Sequence, residues 1–264
     1  MLRRRDFEGI QRDTGFDLDI LEKLYHLTRI LEAICRNEAL HSSLTLKGGT
    51  ALNLIYLDIP RISIDLDFNF TGSVGREVMK ATRPKVEAAI EAVGENMEYG
   101  VAPRPPSYIM SRHYFRYINI RGVKDHVKVE VNYLDRLPVG QIVGPTFPTF
   151  FADLQQFPVR TYSFEELAAQ KIRAYIERGE PRDLYDLYQL SMKGAGREEV
   201  RKYTVVYYCM AADEAKSPED LVESAKTYDE EKLSSELRQF IRNTAHLEPD
   251  MVRDGSSRFL QEAL

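Results

Sequence analysis

The run from Leu44 to Phe70, LTLKGGTALNLIYLDIPRISIDLDFNF, constrains this chain more than any other. LTL reads as a short strand, Gly48-Gly49 as a turn, TALNLIYL as a helix starting near Thr50, and ISIDLDFNF as a strand with period two. Side chains alternate along a strand, so Asp65 and Asp67 share one face while Ile64, Leu66 and Phe68 share the other. The apolar face requires a core behind it. The acidic face is then costly unless it is wet or holds something positive. Two carboxylates held close also raise each other's pKa, and a bound Mg²⁺ relieves that repulsion while completing its shell with water and phosphate oxygens. Gly48 and Gly49 reach backbone conformations closed to other residues and let a phosphate approach the chain. The helix start behind them offers unpaired N–H groups and the positive end of a dipole, to which Thr50 adds a hydroxyl. A Gly-Gly pair or a D-x-D alone is commonplace. Joined as strand–turn–helix–strand, they describe a place for a polyphosphate beside a divalent metal.

The remaining composition excludes more than it selects. At 264 residues, 43% hydrophobic and 29% charged, the chain suits one large or two smaller globular domains. No segment approaches the roughly 18 uncharged apolar residues of a membrane span. The opening MLRRRDFEGI lacks the apolar run of a secretory leader. Cys35 and Cys209 have no ligand-like spacing and read as buried thiols of a reducing, cytoplasmic protein. The net charge of −5 is uneven: residues 213–264 hold seven basic and 13 acidic side chains. Residues 104–128 hold six Lys/Arg and one acid, Asp125, among Tyr108, Tyr114, Phe115 and Tyr117. Cations interleaved with aromatics suit RNA, because phosphates meet charge and unpaired bases stack on rings. A solvated strand pair with its aromatics packed inward accounts for the same pattern.

Patterning divides the chain near residue 150. DLDILEKLYHLTRILEAICRN is helical, with Leu21, Leu24, Leu27 and Leu31 on one stripe and Asp17 or Asp19 as cap. Gly72 and Gly75 punctuate the end of the ISIDLDFNF strand. REVMKATRPKVEAAIEAVGE is helical with Pro84 starting or kinking a second segment. HYFRYINI and HVKVEVNYLD form a hairpin across RGVKD. LPVGQIVGPTFPTFFADLQQFPV reads as an irregular connection with one short strand. From Ser163 onward the chain reads as helix, beginning with a capping box, Ser163 and Glu166, then a Gly179 stop and a Pro181 start. The expected fold is α+β, with residues 1–150 carrying a mixed sheet and residues 151–264 an all-α domain.

The string LKGGTALNLIYLDIPRISIDLDF resembles the first motif of the DNA polymerase β-type nucleotidyltransferase fold, and more fully the AbiEii/AbiGii toxin family, which includes the MenT toxins. ELAAQKIRAYIERGEPRDLYDL is similar to that family's second signature, a Lys on one helix and Arg-Asp-x-x-Asp-Leu on the next. The two motifs stand in the family's order and span Leu44 to Leu190. The resemblance implies a third carboxylate on a later strand. Glu130 fits by position and alternation, sharing a face with Lys128 and Asn132, and Asp135 is the fallback. Asp65, Asp67 and Glu130 would then hold two Mg²⁺ ions, or Mn²⁺ in their place. Gly48, Gly49, Thr50, Arg61, Ser63, Lys171 and Arg182 would bind a nucleoside triphosphate. Asp186, which interrupts Leu184, Tyr185, Leu187 and Tyr188, would position Lys171 or the acceptor hydroxyl. The family further implies transfer of a nucleoside monophosphate to an acceptor such as the tRNA 3′ end, with loss of translation, and a cognate antitoxin.

Plain structural readings stand beside these. Lys171 is equally a surface lysine, Glu130 the wet side of an edge strand, and Asp183 a first-turn acid favoured by the helix dipole. A metal-dependent nuclease also clusters acids, but it needs neither the Gly-Gly turn nor Lys171. A silent module binding nucleotide or antitoxin, and transfer to a protein hydroxyl, complete the alternatives.

Overall fold

The structure is a computed structural model that describes residues 2–103, 107–149, 151–194, 197–210, 216–242 and 247–264. Arg104 of the basic run and Phe150 at the expected boundary lie outside them. So do Asp213 and Glu214 of the acidic region and the ends of two expected helices, Ala211, Ala212, Asn243 and Thr244.

Helix α1 (Arg4–Thr14) precedes α2 (Leu18–Arg36), which starts at the expected aspartate: Asp17 accepts a hydrogen bond from the Asp19 N–H at 2.9 Å. Leu21, Leu24, Leu27 and Leu31 are all buried. At roughly 2 kcal/mol each, that stripe ties α2 to the core. A one-turn extension, α3 (Glu38–Ser43), is capped by Asn37 and leads into β1 (Leu44–Lys47). The helix after it begins at Gly48, two residues before Thr50: α4 (Gly48–Ala51) widens at once into a π-helical turn over Leu52–Tyr56. Such widened turns recur at functional sites. Strand β2 (Asp65–Phe70) opens on the first acid, and α5 (Arg76–Asn96) follows as one helix with Pro84 inside it. Pro84 starts no second segment and removes one N–H donor from the ladder.

Strands β3 (Gly100–Pro103), β4 (Met110–Ile118) and β5 (Lys124–Asn132) come next, the last two joined as the expected hairpin, with Gly122 left-handed at φ 78° in its turn. The connection beyond holds three two-residue strands where one was expected: β6 (Ile142–Val143), β7 (Thr146–Phe147) and β8 (Phe157–Pro158). A fourth, β9 (Thr161–Tyr162), follows directly. The mixed seven-stranded sheet runs β3-β4-β5-β2-β1-β9-β6, and β7-β8 form a separate ribbon. Strand β5 therefore lies inside the sheet, between β4 and β2, and Glu130 is not on an edge. One face buries Leu66, Phe115, Val127, Val129 and Val131 under α2 and α5. The other carries the polar residues of the same strands.

Helices α6 (Phe164–Arg178), α7 (Pro181–Lys193), α8 (Arg197–Met210), α9 (Pro218–Lys226), α10 (Glu230–Leu237) and α11 (Pro249–Ala263) complete the chain. Helix α6 packs on α4 and its π-helical turn and so covers one end of the polar face. Ser163 caps α6 as expected, accepting from the Glu166 N–H at 3.2 Å, and Gly179 ends it left-handed. The reciprocal half of the capping box is absent. Glu166 instead accepts from the Val139 and Gly140 N–H groups, each at 2.9 Å, which satisfies a half-buried loop backbone, and from the Tyr207 hydroxyl. The chain returns to its first half where the Ile62 N–H donates to the Phe240 carbonyl at 2.8 Å. Cys209 is exposed on α8, against expectation, whereas Cys35 is partly buried and its thiol pushed up to about 12 by burial. Among the described residues no helix is long and apolar enough to cross a membrane.

Candidate active site

Strand register builds the site. Lys47 of β1 pairs with Asp67 of β2, Asp67 with Glu130 of β5, and Glu130 with Arg112 of β4. Directly opposed residues project to one face, so these four form a row across the sheet. The next row is Asp65, Lys128 and Tyr114; the row on the other side is Thr45, Asn69, Asn132 and Met110. All three expected carboxylates thus share a face, with Lys47 and Arg112 at the two ends of the central row and Lys128 beside Asp65 in the next.

Gly48 sits at φ 72°, and a Cβ there would lie 2.8 Å from Asp67 Oδ2. A Cβ on Gly49 would lie 2.8 Å from Arg61 Nη2 and 3.0 Å from Ser63 Oγ. The two glycines therefore make room for the side chains of this motif itself. Thr50 is fully buried and its hydroxyl donates to the Asp65 carbonyl, clamping α4 to β2. It is a brace and not an exposed phosphate ligand.

A cavity of about 300 Å³ opens between this face and α6, lined by Lys47, Gly48, Asp67, Asn69, Glu130, Asp135, Lys171, Arg173 and Arg178 among others. Burial raises the pKa of Asp67, and Glu130 and Asp65 raise it further against the pull of Lys47. Among the described residues no side chain donates a hydrogen bond to its carboxylate. Burial acts on Glu130 in the same direction, but the Arg112 hydrogen bond and Lys128 outweigh it and hold that carboxyl below its ordinary value. Lys128 Nζ stands 3.4 Å from Asp65 Oδ2 and 3.0 Å from Glu130 Oε2. Lys47 has no carboxylate within ion-pair distance among the described residues, and burial lowers its pKa, opposed by Asp67 and Asp135. Asp135 accepts from Arg173 at 3.3 Å and from Asn132 at 3.1 Å.

Behind the cavity lies a closed ionic cluster. Lys171, 5% exposed, donates to Asp183 and Asp186, each 2.9 Å away. Asp186 is fully buried. It accepts both Arg61 Nε and Nη2, at 2.7 and 2.6 Å, and Asn53 Nδ2 at 3.0 Å. Asp183 also takes a bidentate pair from Arg178, at 2.6 and 2.8 Å. Burial opposes both charges, yet the neighbouring cations prevail and hold both carboxyls below the usual range.

Of the residues expected at the site, Gly48, Asp67, Glu130 and Lys171 meet in the cavity, and Asp65 adjoins them on the same face. Arg61 and Asp186 lie beneath it as a buried pair, with Asp186 holding Lys171. Ser63 is buried against Gly49. Arg182 is not in the cavity lining, and its guanidinium lies 5.3 Å from the centre of the Phe240 ring. The sequence patterns do not single out Lys47, Asn69, Arg112, Lys128, Arg173 and Arg178 as site residues. Lys47 immediately precedes Gly48 and shares the alternation of its strand. Lys128 stands two residues before Glu130, on the same face. Arg173 and Arg178 lie two and seven residues beyond Lys171, the latter a helical neighbour two turns on.

The donor types suit a hard divalent cation: carboxylate oxygens on one face, Asp67 unclaimed by any described donor, and a buried Asn69 Oδ1 in the cavity wall with no partner. As they stand, no three acidic, histidine or cysteine side chains among the described residues converge closely enough to grip one. Lys128 and Arg112 hold two of the three.

A carboxylate face beside a cation-lined cavity, on a mixed sheet backed by helices, suits an enzyme of phosphate-ester transfer. Solved structures share this fold. MenT4, a nucleotidyltransferase toxin from Mycobacterium tuberculosis, is 18% identical, with a TM-score of 0.71 over 99% of this chain and 90% of that one. JHP933 from Helicobacter pylori is 16% identical, with a TM-score of 0.58 over 93% of this chain and 92% of that one. No protein of curated function matches the chain. The model of the nucleotidyl transferase AbiEii toxin family, type IV toxin–antitoxin system, matches residues 29–262, and the chain belongs to that family. It is a nucleotidyltransferase toxin, with a nucleoside triphosphate as substrate and an antitoxin as its counterpart.

Proposed function

We propose that this cytoplasmic toxin moves a nucleoside monophosphate from a nucleoside triphosphate onto the 3′ end of tRNA, blocking translation. The observation that carries the proposal is the asymmetry of the polar face. Its acids stand between a cation-lined cavity on one side and an open, basic strand surface on the other. In-line displacement at a phosphate needs entering and leaving groups on opposite sides of the reacting atom. The cavity, with Lys47, Lys171, Arg173 and Arg178 in its wall, suits the triphosphate and the pyrophosphate that leaves. The open surface continues the same face outward along β4 and β5 through Arg112, Tyr114, Arg116, Lys124, His126 and Lys128. Tyr114 and His126 meet edge to face with ring centroids 5.1 Å apart, a platform on which a base can stack. Phe115 and Tyr117 point inward instead, the latter against His26, so only alternate residues of the basic run serve RNA.

Asp65, Asp67 and Glu130 would hold two Mg²⁺ ions, or Mn²⁺. When bound, these supply charge neutralisation for the triphosphate and a lowered pKa for the acceptor hydroxyl. Burial and the neighbouring acids raise the pKa of Asp67, and a bound cation would favour its ionised form. Lys47 neutralises a phosphate oxygen as a mobile point charge. Asp183 and Asp186 fix Lys171 so that its ammonium is in position before substrate arrives. A division near residue 150 would leave the acid-bearing strands in the first part and the cavity-closing helix α6 in the second, with β9 of the second part pairing with β1 of the first.

The test is incorporation of α-labelled nucleotide. Purified protein is incubated with Mg²⁺, total tRNA and each labelled triphosphate in turn, and the 3′ ends are sequenced. Label at tRNA 3′ ends, absent with Asp67→Ala, is expected. Label on protein only, or RNA cleavage without added nucleotide, contradicts the proposal.

A further inference from the structure

Two of the three carboxylates are already engaged by cations. The ammonium of Lys128 lies between Asp65 and Glu130, 3.4 and 3.0 Å from their oxygens, and Arg112 donates to the second oxygen of Glu130. Neither cation lines the cavity. Both belong to the open half of the face, which Arg116 and Lys124 continue. Lys128 is compact, carried on a flexible stem and about a quarter exposed; Arg112 is nearly half exposed. Both can swing to solvent without disturbing the strands, whose backbone ladder is independent of them.

We propose that Lys128 is a placeholder for the divalent metal. It compensates Asp65 and Glu130 in the metal-free protein, sets the metal affinity of the site, and on metal entry turns with Arg112 to the open face, where both bind phosphates of the acceptor. The inference rests on the transfer reaction above. A divalent ion needs carboxylate oxygens at about 2.0–2.1 Å. It cannot share Asp65 and Glu130 with an ammonium lodged between them, because two cations so close repel well inside the screening length. Displacement has a direction. The cavity side holds Lys47, Lys171, Arg173 and Arg178, so the released charges turn to the open side, where an acceptor approaching in line brings phosphates. The site is thereby ordered: metal first, acceptor second.

Two measurements test it. The first is Mn²⁺ titration, read by paramagnetic resonance of the free ion, on the wild type, Lys128→Met, Lys128→Gln, Lys128→Arg and Asp67→Ala. The second is filter retention of total tRNA in Mg²⁺ without any triphosphate, on the same proteins. The neutral Lys128 variants are expected to bind Mn²⁺ about ten-fold more tightly and tRNA several-fold more weakly, with a salt slope smaller by about one. Lys128→Arg should stay near wild type in both. Mn²⁺ affinity unchanged or weakened in both neutral variants overturns the placeholder role. Tighter Mn²⁺ with unchanged tRNA retention overturns the hand-over to the acceptor. If the wild type shows no Mn²⁺ binding that Asp67→Ala removes, the metal-dependent reaction falls, and this inference with it.

Discussion

Replacing Asp186 by Asn should be among the most destabilising single changes in the chain, and the site geometry sets the size. Asp186 is fully buried and its two oxygens accept four donors: Arg61 Nε at 2.7 Å, Arg61 Nη2 at 2.6 Å, Lys171 Nζ at 2.9 Å and Asn53 Nδ2 at 3.0 Å. Arg61 is only 3% exposed and has no other carboxylate partner among the described residues. Asparagine turns one acceptor into a donor facing donors and leaves the guanidinium buried and uncompensated. Breaking a buried pair in this way costs about 3–5 kcal/mol, a large share of a typical total of about 5–15 kcal/mol. Asp183→Asn provides the internal comparison. Its partner Arg178 is 58% exposed and can be hydrated, and Lys171 keeps Asp186, so the cost should be about 1.5–3 kcal/mol. The pH dependence has a definite sign. A carboxyl held below its unfolded value contributes stability above about pH 3.9 that is lost as pH falls through the folded value. Asp186→Asn should flatten that acid limb. Urea denaturation of the three proteins between pH 3 and 7 measures all of this. Asp186→Asn within 1 kcal/mol of wild type, or less damaging than Asp183→Asn, refutes the reasoning. The double change Arg61→Met with Asp186→Leu should recover much of the loss, since it removes both charges together.

Three further outcomes are expected. Gly48→Ala strains a backbone at φ 72° and drives a Cβ to 2.8 Å from Asp67 Oδ2, so it should cost about 1–3 kcal/mol in urea denaturation and abolish transfer together. Lys47→Gln should raise the KM for the triphosphate about ten-fold or more at nearly unchanged stability, because Lys47 faces the cavity without a carboxylate partner; an unchanged KM in steady-state kinetics would count against that placement. His26 is buried against Tyr99, Tyr117 and Glu22, with Arg29 and Asp125 nearby, and burial first, then Arg29, lowers its pKa to about 4. The neutral form is the native one, so stability is full above pH 6.5 and falls by up to about 3 kcal/mol as pH drops towards 4. His26→Phe should remove that slope from a pH series of melting temperatures.

Much of this was legible because local rules sufficed. Period-two alternation put Asp65, Asp67 and Glu130 on faces that the register then joined. The leucine stripe of α2, the Ser163 cap and the Gly179 stop are equally local signals. What stayed hidden is non-local. Glu166 satisfies loop amides that arrive 26 and 27 residues earlier in the chain, which no capping rule anticipates. The sequence suggests that the glycines of the first motif leave space for phosphate; that a side chain there would also meet Asp67, Arg61 and Ser63 depends on the fold bringing those residues back. Lys171 resembles a surface cation in sequence and Arg61 a residue of the nucleotide pocket, and only the burial of Asp186 between them makes them a core cluster. Lys47 needed the pairing of β1 with β2 before it could be placed beside Asp67.

The most direct test of the account is the fate of the phosphates. Parallel reactions with α-labelled and γ-labelled triphosphate, Mg²⁺ and total tRNA, with the wild type and Asp67→Ala, are resolved for label in tRNA and in pyrophosphate. The account predicts α-label in tRNA and γ-label in pyrophosphate in equal amounts, with both lost in the variant. γ-label on the acceptor, or α-label transferred undiminished by Asp67→Ala, would contradict it.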